Sequence, residues 1–315
     1  MNFYTYSVAL CTYNGEKFIE AQLSSIIKQT LRVNEIIICD DNSSDNTIEI
    51  INSFAKKKSY GIPITLYKNQ EKLGVTKNFE KCIGKCSSNY IFLCDQDDVW
   101  LNNKVEEFDK VFKNGFDLVL SDSYVTNSEL LVVSKSLLSN FKFNSLNLVD
   151  SVLSKSFVTG ANLAFNKKVF NKAHPFPPST LHDKWLGMIG AFFFKFKIIK
   201  LPLLKYRQHS NNVIGVKKLS LLSKIKLNFA NKNRRDFSVN TTFKSLQTFW
   251  FTFSDELSEK QRFKTQKVLK FWRTLDSFRN YNKIKSFTLI IFNFFNYFRY
   301  SFGLLAFLRD IIILL

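Results

Sequence analysis

The first hundred residues of the chain alternate between apolar runs and helix-like stretches, and this alternation limits the folds that the chain can adopt. Four runs rich in β-branched residues are spaced along this part: YSVALCT (6–12), NEIIICD (34–40), PITLYKN (63–69) and YIFLCD (90–95). Between them lie three stretches with the length and spacing of amphipathic helices, at 16–29, 46–57 and 75–86. Strands that alternate with helices of this length form βαβ units, in which helices cover both faces of a parallel sheet. We therefore predict an α/β fold.

The pattern becomes less regular after Trp100. We predict a helix over 102–112, strands over 116–127 and 130–134, a helix near 147–155, an apolar helix at LHDKWLGMIGAFFF and a strand at IIKLPLLKYRQHS. These elements predict a mixed sheet. From about residue 217 the sequence is helical, basic and aromatic, without a strand pattern. The prediction is a sheet domain at 1–216 and a helical region at 217–315.

Positive charge and phenylalanine are concentrated in the last third of the chain. The 315 residues carry a formal charge of +19 and 34 Phe; from residue 211 onward there are 19 Lys or Arg, six Asp or Glu and 16 Phe. Basic and aromatic residues together are typical of proteins that bind nucleic acid or an anionic membrane surface. An AT-rich coding sequence, which raises Lys, Asn, Ile and Phe together, is the alternative explanation. No recognisable nucleic-acid-binding module accompanies the charge, so we expect no nucleic-acid partner.

The apolar, Phe-rich segment 285–315 is interrupted by five polar or charged residues: Asn293, Asn296, Arg299, Arg309 and Asp310. Because a membrane-spanning helix needs about 20 consecutive apolar residues, the segment predicts one or two amphipathic helices in the bilayer interface instead. Packing of this face on the first domain, or on a second copy in a homo-oligomer, is the alternative. The basic stretch 217–237 suits anionic head groups or a lipid-diphosphate acceptor.

The cysteines indicate a reducing compartment. There are five, an odd number, with no CxxC pair, and Cys39 and Cys94 lie in predicted strands, where a free thiol behaves as a small buried hydrophobe. The opening MNFYTYSVAL lacks the charged region of a signal peptide. We expect a cytoplasmic protein without disulfides.

Each of the four predicted strands ends in a polar cluster: CTYNGE (11–16), CDDNSSDNT (39–47), KNQEKLGVTKN (68–78) and CDQDDVW (94–100). Ligands of doubly wound sheets bind outside the carboxyl ends of the strands, so the clusters predict one site at one edge. The alternative is that Asp, Asn, Gly and Ser only form the turns.

The glycine pattern and the acidic residues limit which ligands the predicted site can bind. No GxGxxG follows the first strand and no GxxxxGK[ST] is present, which excludes the usual dinucleotide and P-loop sites. The crowded carboxylates of Asp95, Asp97 and Asp98 are the ligands that a hard divalent cation prefers. Such a cation can bridge to the oxygens of a diphosphate.

Several of these segments together resemble family 2 glycosyltransferases: VALCTYNGEKFIEAQLSSIIKQT, IIICDDNSSDNT, YIFLCDQDDVW and LHDKW. The ordered series CDQDDVW, GANLAF, HDKWL and YRQHSNNVIG is similar to the bacterial rhamnosyltransferase branch of that family. The resemblance covers residues 5 to 215. It implies the GT-A fold, a Rossmann-like nucleotide-diphospho-sugar transferase with a mixed sheet flanked by helices. It also implies a metal-dependent enzyme that inverts the anomeric carbon.

The resemblance assigns donor binding to the strand ends. The residues implied to bind the nucleotide sugar are Thr12, Tyr13, Asn14, Glu16, Asp41, Asn78, Asp95, Gly160 and Asn162. Asp41 is implied to bind the pyrimidine base, and Asp40 to be structural. Gly160 and Asn162 are implied to lie by the donor diphosphate or the acceptor, with a tight strand end as the alternative for Gly160.

The resemblance also assigns the metal, the base and the acceptor contacts. It implies a Mn²⁺ or Mg²⁺ ion held by three residues, Asp97, Asp95 and His209, and leaves Asp98 unassigned. Asp183 matches the catalytic base, with an N-cap as its ordinary alternative. His182 and Trp185 are implied acceptor contacts, although a Trp on a helix face is more often a core residue. Lys184 departs from the aromatic residue expected there, which bears on acceptor recognition.

The expected reaction moves a sugar from a nucleotide-diphospho-sugar to a hydroxyl of a growing or lipid-linked cell-surface glycan, such as a capsule or O-antigen, at the inner membrane face. The expected donor is dTDP-L-rhamnose, with UDP-glucose or UDP-galactose as the alternative. A nucleotidyltransferase would need a Gly-rich, basic loop after the first strand, which CTYNGEKF lacks. An inactive membrane scaffold would not need the set Asp41, Asp95, Asp97 and Asp183.

Overall fold

The computed structural model describes residues 4–57, 61–141, 143, 147–154, 157–208, 232–278, 281–301 and 303–314. The chain divides into two compact units, Met1–Lys142 with Phe157–Val216, and Phe143–Ser156 with Lys217–Leu315. The predicted sheet domain, 1–216, included residues 143–156. The structure groups this segment with the C-terminal unit, because the short helix that it forms packs against helices of that unit.

The described part of the first unit contains one mixed sheet. Its strands are β1 (Tyr6–Thr12), β2 (Glu35–Asp40), β3 (Ile64–Lys68), β4 (Tyr90–Asp95), β5 (Val99–Trp100), β6 (Leu118–Thr126), β7 (Val132–Ser134), β8 (Leu163–Asn166) and β9 (Phe196–Arg207). The order is β3-β2-β1-β4-β8-β6-β9-β5, with β7 beside β6. The first four strands are parallel, and β8 runs antiparallel between β4 and β6. The predicted α/β fold with a mixed sheet is confirmed.

Helices flank this sheet. In chain order they are α1 (Ile19–Ile27), α2 (Thr47–Ala55), α3 (Val75–Lys85) and α4 (Lys104–Lys113), followed after the second-unit helix α5 (Leu148–Ser154) by α6 (Lys167–Ala173) and α7 (His182–Phe193). Ile19, Leu23 and Ile26 are fully buried on α1 at spacings of four and three residues, which puts them on one helix face. The central strands β1, β2 and β4 are buried along most of their length, as expected for parallel strands covered on both sides.

The register of the central strands determines where the site lies. Thr12 at the end of β1 pairs with Asp40 at the end of β2, and Cys11 pairs with Asp95 at the end of β4. Because the three strands are parallel, the turns that follow them leave the sheet at the same edge. This is the edge that the polar clusters predict.

Two strands and one helix of this unit were not predicted. β5 has two residues and pairs Val99 with Lys205 of β9, and β8 has four residues. Elements this short show no period in the sequence, so their pairing depends on neighbours that are distant along the chain. The unpredicted helix α6 begins where the Asn166 side chain accepts a hydrogen bond from the Lys168 amide.

The second unit is helical in its described part. Besides α5 it contains α8 (Lys232–Phe253), α9 (Glu259–Ser277), α10 (Lys283–Phe292), α11 (Phe294–Tyr300) and α12 (Leu304–Leu314). A capping box between Ser258 and Gln261 begins α9. The segment predicted as one or two amphipathic helices forms three, because the chain breaks at Asn293 and at Gly303, which has a φ of 67°.

No helix in the described ranges combines the length and the apolar character that crossing a membrane requires. The predicted basic stretch at 217–237 falls largely outside the described residues, since 217–231 are not among them.

Candidate active site

The carboxyl ends of β1, β2 and β4 open into a cavity of about 460 Å³ in the first unit. The starts of α3 and α7 and the turn before β8 complete its walls. Ten of the predicted site residues line it: Thr12, Tyr13, Asn14, Asp41, Asn78, Asp95, Asp97, Gly160, His182 and Asp183. The fold therefore brings together residues that are up to 171 positions apart in the sequence.

Gln96 joins the turn after β1 to the end of β4. The Tyr13 amide donates to Gln96 Oε1 at 2.9 Å, and Gln96 Nε2 donates to the Tyr13 carbonyl at 3.0 Å. Gly15 leaves the space for this pair, because a Cβ at that position would lie 2.2 Å from Gln96 Oε1. Gln96 also lines the cavity. Gln96 was not among the predicted site residues.

Hydrogen bonds also join the turns after β1 and β2. Thr12 Oγ1 donates to Asp40 Oδ2 at 2.7 Å, and the Ser43 amide donates to Asp40 Oδ1 at 2.7 Å. Asn14, in the left-handed region with a φ of 49°, donates its amide to Ser43 Oγ at 2.9 Å and accepts from the Ser44 amide at 2.9 Å. Asp40 thus supports the loops, while Thr12 and Asn14 reach the cavity.

Asp41 connects the end of β2 to the start of α3. Its carboxylate accepts from the amides of Leu73 (2.7 Å) and Gly74 (2.9 Å) and from Asn69 Nδ2 (3.0 Å). Asn69 Nδ2 also donates to Asn78 Oδ1 at 2.9 Å. These bonds hold the start of α3 against the cavity wall that Asp41 and Asn78 form.

The three acids after β4 have different environments. Asp95 and Asp97 line the cavity, whereas Asp98 is buried and accepts the Arg207 amide at 2.9 Å. Burial, followed by the negative charges of Asp97 and Asp183, raises the pKa of Asp95 to about 7. Burial, followed by the charges of Asp97 and Asp95, also raises the pKa of Asp98 well above its ordinary value. The cluster is therefore short of positive charge.

Two cations lie near these acids. Arg207 Nε donates to the Asp97 carbonyl oxygen at 2.7 Å. Lys104 is fully buried and donates from Nζ to the Ala161 carbonyl at 2.6 Å, with Nζ 4.1 Å from the centre of the Trp100 ring. Burial lowers the pKa of Lys104 to about 7, so this side chain carries only part of a positive charge at neutral pH.

The carboxylates at the cavity fit a hard divalent cation. Within the part of the chain that the structure describes, no three or more His, Cys, Asp or Glu side chains are grouped to hold a metal ion, and His209 lies outside that part. Asp95 and Asp97 bring two carboxylates to the cavity, and the charges of Asp97 and Asp183 add to burial in raising the pKa of Asp95. Magnesium-type ions bind through one or two carboxylates and complete their shell with ligand phosphates and water. The donor set is of that kind.

Asp183 lies in the first turn of α7 and lines the cavity, with 7% of its surface exposed. The N-cap of α7 is Leu181, so the interpretation of Asp183 as an N-cap is not supported. Its Oδ1 accepts the Lys184 amide at 2.6 Å.

His182 precedes Asp183 and is buried in the cavity wall. Its ring stacks on Phe79 with a centroid distance of 4.0 Å. Gly160 makes room for it, since a Cβ on Gly160 would lie 2.8 Å from His182 Nε2. Neither ring nitrogen has a hydrogen-bond partner among the described residues. Burial lowers the pKa of His182, so the ring is neutral and keeps one donor and one acceptor.

Three predicted site residues do not line the cavity. Glu16 hydrogen-bonds at the start of α2, and Asn162 is fully buried with its Nδ2 donating to Thr159 Oγ1 at 2.9 Å. Trp185 is 1% exposed and donates its indole N–H to the last carbonyl of α6 at 2.8 Å. The implied acceptor role of Trp185 is therefore not supported, because this face of α7 packs into the core.

The cavity also has lining residues that sequence reasoning did not single out: Cys11, Phe18, Val75, Phe79, Gln96, Thr159, Leu181 and Tyr206. Most of them are neighbours of predicted residues. Their position next to a strand end or a helix start could have indicated that they line the cavity. Apolar residues at such positions, however, have the same sequence pattern as residues of the hydrophobic core.

Comparisons with known proteins bear on this site. The family model described as Glycosyl transferase family 2 matches residues 7–173. The dTDP-rhamnosyl transferase RfbG of Shigella flexneri is 31% identical over 228 residues, which is 65% of this chain and 73% of that protein. The Escherichia coli UDP-Glc:alpha-D-GlcNAc-diphosphoundecaprenol beta-1,3-glucosyltransferase WfgD is 30% identical over 133 residues, or 42% of this chain and 51% of that protein.

Solved structures share the fold. S. aureus TarS 1–349 in complex with UDP-GlcNAc has a TM-score of 0.56 at 14% identity, covering 88% of this chain and 92% of that one. The mannosyltransferase PcManGT from Pyrobaculum calidifontis, in complex with GDP-Man and Mn²⁺, has a TM-score of 0.53 at 14% identity, covering 99% and 85%. At this identity the likeness concerns the fold alone.

Proposed function

This chain belongs to glycosyl transferase family 2 and is a glycosyltransferase that uses a nucleotide sugar, and we propose that it moves L-rhamnose from dTDP-L-rhamnose to a hydroxyl of a growing cell-surface glycan with inversion at the anomeric carbon. The observation that carries this proposal is the meeting of Asp41, Asp95, Asp97 and Asp183 in one cavity. Asp41 lies at the nucleotide end, Asp95 and Asp97 serve the diphosphate, and Asp183 serves the acceptor.

Asp183 is the proposed general base. An acceptor hydroxyl gives its proton to the Asp183 carboxylate while its oxygen attacks the anomeric carbon. The bond from that carbon to the diphosphate oxygen breaks, and the nucleoside diphosphate leaves with the electron pair. Attack opposite the leaving group, with one base and no protein nucleophile, inverts the configuration at this carbon.

Asp97, supported by Asp95, is proposed to hold Mn²⁺ or Mg²⁺, and His209 stays a proposed third ligand. Such an ion supplies charge stabilisation to the leaving diphosphate. Burial raises the pKa of Asp95, and the negative charges of Asp97 and Asp183 raise it further; a cation bound here would offset those charges, which supports this assignment. PcManGT, of similar fold, binds Mn²⁺ together with its nucleotide sugar.

We propose that His182 binds a sugar hydroxyl of the acceptor. Its two ring nitrogens are buried and unpaired among the described residues, and such groups usually have a partner in the working state of a protein. It also neighbours the proposed base directly in the cavity wall. Lys184, where the family pattern has an aromatic residue, remains a candidate for acceptor selection.

The donor proposal rests on the relative RfbG, a dTDP-rhamnosyl transferase of which this chain covers 73%. UDP-glucose is the second candidate, because WfgD, which is similar over a shorter stretch, is named as a UDP-Glc enzyme. The acceptor class proposed is a surface glycan such as a capsule or O-antigen, free or lipid-linked.

We also propose that the enzyme works at the inner face of a bacterial cell membrane. The support is the second unit, whose last three helices expose large apolar side chains: Phe292 and Phe295 are each 82% exposed and Ile284 is 80% exposed. Burying such surface in a bilayer interface is favourable. A contact with a second copy of the chain is the alternative use of this surface.

The decisive variant for the catalytic proposal is Asp183→Asn, which keeps the size of the side chain and removes its basicity. We expect turnover with dTDP-L-rhamnose to fall at least ~100-fold, while the dissociation constant for the donor stays near the wild-type value. Single-turnover kinetics and equilibrium binding separate the two effects.

Asp255→Asn, the same change at an exposed acid outside the cavity, is the matched control and should keep wild-type turnover. Normal turnover in Asp183→Asn would place the base elsewhere. Parallel assays with UDP-glucose and UDP-galactose decide the donor, because the preferred sugar is the one transferred with the highest kcat/KM.

A further inference from the structure

The second unit has a cavity of its own, of about 460 Å³, among α5, α9 and α11. Its lining residues are Asp150 from α5, Lys260, Phe263, Lys264, Lys267 and Val268 from α9, and Arg299 and Tyr300 from α11. Four cationic side chains thus face one acidic side chain. The proposed transfer reaction makes no use of this cavity.

The cations converge by helix geometry. Lys260, Lys264 and Lys267 are four and three residues apart, which puts them on one face of α9, and Arg299 comes from a different helix. Lys264 lies 2.8 Å from Asp150 Oδ1. In the described part of the chain, no carboxylate forms an ion pair with Lys260, Lys267 or Arg299. Three cations are therefore left without an acidic partner around one cavity.

A row of lysines on a helix is ordinarily only a solvated face. Two features distinguish the lysines of α9 from such a face. Arg299 adds a cation from a second element, and the lysines border a cavity instead of a flat surface. The cavity has aromatic and apolar walls, with Val268 buried and Lys267 Nζ 4.1 Å from the centre of the Phe263 ring. Like charges held together at a concave surface attract an anion of matching size.

Two other helices of the second unit, α10 and α12, expose apolar stripes. On α10, Ile284, Phe287 and Ile291 are exposed at spacings of three and four residues, and on α12 a similar stripe consists of Leu304, Leu308 and Ile312. On α11, Phe295 lies one helical turn before Arg299, which lines the cavity. A cation and an exposed aromatic residue thus share one side of a short helix.

The exposed stripes are not the faces by which the helices pack together. Ile290, Tyr297 and Phe307 are buried, and Tyr297 donates its hydroxyl proton to the buried Asp310 at 2.7 Å. Each of α10, α11 and α12 therefore carries an inner apolar face that is already covered. The outer stripes are additional apolar surface, and surface of this kind marks a site of interaction.

We propose that the basic cavity binds the phosphate group of an anionic membrane phospholipid, while the outer stripes of α10 and α12 and the exposed Phe side chains enter the acyl boundary of the same leaflet. This inference rests on the membrane location in the proposed function and specifies how that location is achieved. One amphipathic ligand satisfies both features, because its head group is anionic and its tails are apolar. A second copy of the chain would bring an equally cationic cavity to the contact, which like-charge repulsion opposes.

The test for the cavity is vesicle co-sedimentation of the full chain, with phosphatidylcholine vesicles and with vesicles that also contain phosphatidylglycerol. We compare wild type with Lys260→Ala/Lys267→Ala/Arg299→Ala. Lys264 is kept because it pairs with Asp150. Each cation at an anionic surface contributes roughly fivefold to partitioning, so the triple variant should bind the anionic vesicles about 100-fold more weakly than wild type.

The matched control is Lys28→Ala/Lys56→Ala/Lys200→Ala, which removes the same charge from exposed positions in the first unit. This control should bind anionic vesicles nearly as well as wild type. If both triple variants lose binding to anionic vesicles equally, the effect is one of net charge, and the proposed role of the cavity is wrong. Wild-type binding by the cavity variant would also overturn it.

A second pair of variants tests the apolar stripes. Phe292→Ser/Phe295→Ser should weaken binding to both kinds of vesicle, whereas Phe251→Ser, at a residue of α8 that is 73% exposed, should not. If wild type binds neither vesicle, the membrane location itself is wrong. If wild type binds both kinds of vesicle equally, the proposed membrane location is supported, but the proposal that the cavity binds lipid phosphate is wrong. Calorimetry tests whether wild type binds inorganic phosphate. If it does, but shows no preference for anionic vesicles, the cavity is a site for free phosphate and the lipid proposal is wrong.

Discussion

His182 shows how much a single residue of this site depends on residues far away in the chain. Its ring occupies the space that Gly160 leaves without a side chain and stacks on Phe79, which comes from α3. Its neighbour Asp183 shares the cavity with the two acids after β4 and contributes to the raised pKa of Asp95. Each of these effects is a consequence of placement, since the same residue types in solution would have ordinary pKa values.

The buried imidazole predicts a dependence of stability on pH. Burial lowers the pKa of His182 below its ordinary value, so the folded state binds fewer protons at this site than the unfolded state does. Stability contributed by the neutral ring is therefore lost as the pH falls through the ordinary histidine range, around 6.5. In His182→Phe this contribution is absent. Between about pH 7 and pH 5.5, we expect the Tm of wild type to fall more steeply than that of the variant.

Differential scanning calorimetry across this range, at constant ionic strength, measures the two slopes. Parallel slopes for wild type and His182→Phe would contradict the assignment of this proton-binding difference to His182. Phe is used because it keeps a flat ring that can stack on Phe79.

At the scale of elements, short polar links join strand ends to helix starts around the cavity. Asp41 is the clearest case, because its carboxylate accepts the amides of Leu73 and Gly74, which precede α3. Gln96 acts similarly between the turn after β1 and the end of β4. Such links preorganise a site on rigid elements, so that ligand binding need not order the loops.

Asp41→Ala should therefore affect both stability and donor binding. Removing the acceptor leaves two amides without their partner, which costs about 1–3 kcal/mol when they are buried. The start of α3 then loses its attachment to β2, and donor affinity should fall with it. Urea unfolding measures the first effect, and isothermal titration with the nucleotide sugar measures the second.

Glu71→Ala is the control for this variant, because Glu71 is an exposed acid in the same loop. It should change neither quantity. A stable Asp41→Ala protein with wild-type donor affinity would show that the link between β2 and α3 has no part in the site.

At the scale of the whole molecule, the two units present different surfaces. The first unit carries an acid-lined cavity at the edge of its sheet, and the second carries a basic cavity and exposed apolar helices. A ligand that binds only the folded first unit stabilises the protein by mass action, by about 2.7 kcal/mol at a concentration 100 times its Kd. Thermal unfolding therefore reports donor and metal binding without an acceptor.

We expect dTDP-L-rhamnose and Mn²⁺ together to raise the Tm of wild type more than either does alone. Asp97→Ala should lose the part of this shift that depends on the metal, because the cation loses its proposed ligand. Asp255→Ala, at an exposed acid, should keep it. An unchanged metal-dependent shift in Asp97→Ala would refute the metal assignment, and a larger shift with UDP-glucose would favour the second donor candidate.

The amino-acid sequence by itself determined the alternation of strands and helices, the mixed sheet, the polar edge of that sheet and the family. These features depend on local periodicity and on short motifs, both of which can be recognised in the sequence alone. Only the tertiary structure decided which members of the motifs reach the cavity. Trp185 and Asn162 turned into the interior, while Gln96, Phe79 and Tyr206 joined the cavity wall. The tertiary structure also decided that Lys104 is buried beside the acids and that Gly160 leaves space for the His182 ring. The physical reason is that a side chain's burial, partner and pKa depend on neighbours from other elements, and packing alone determines which neighbours those are.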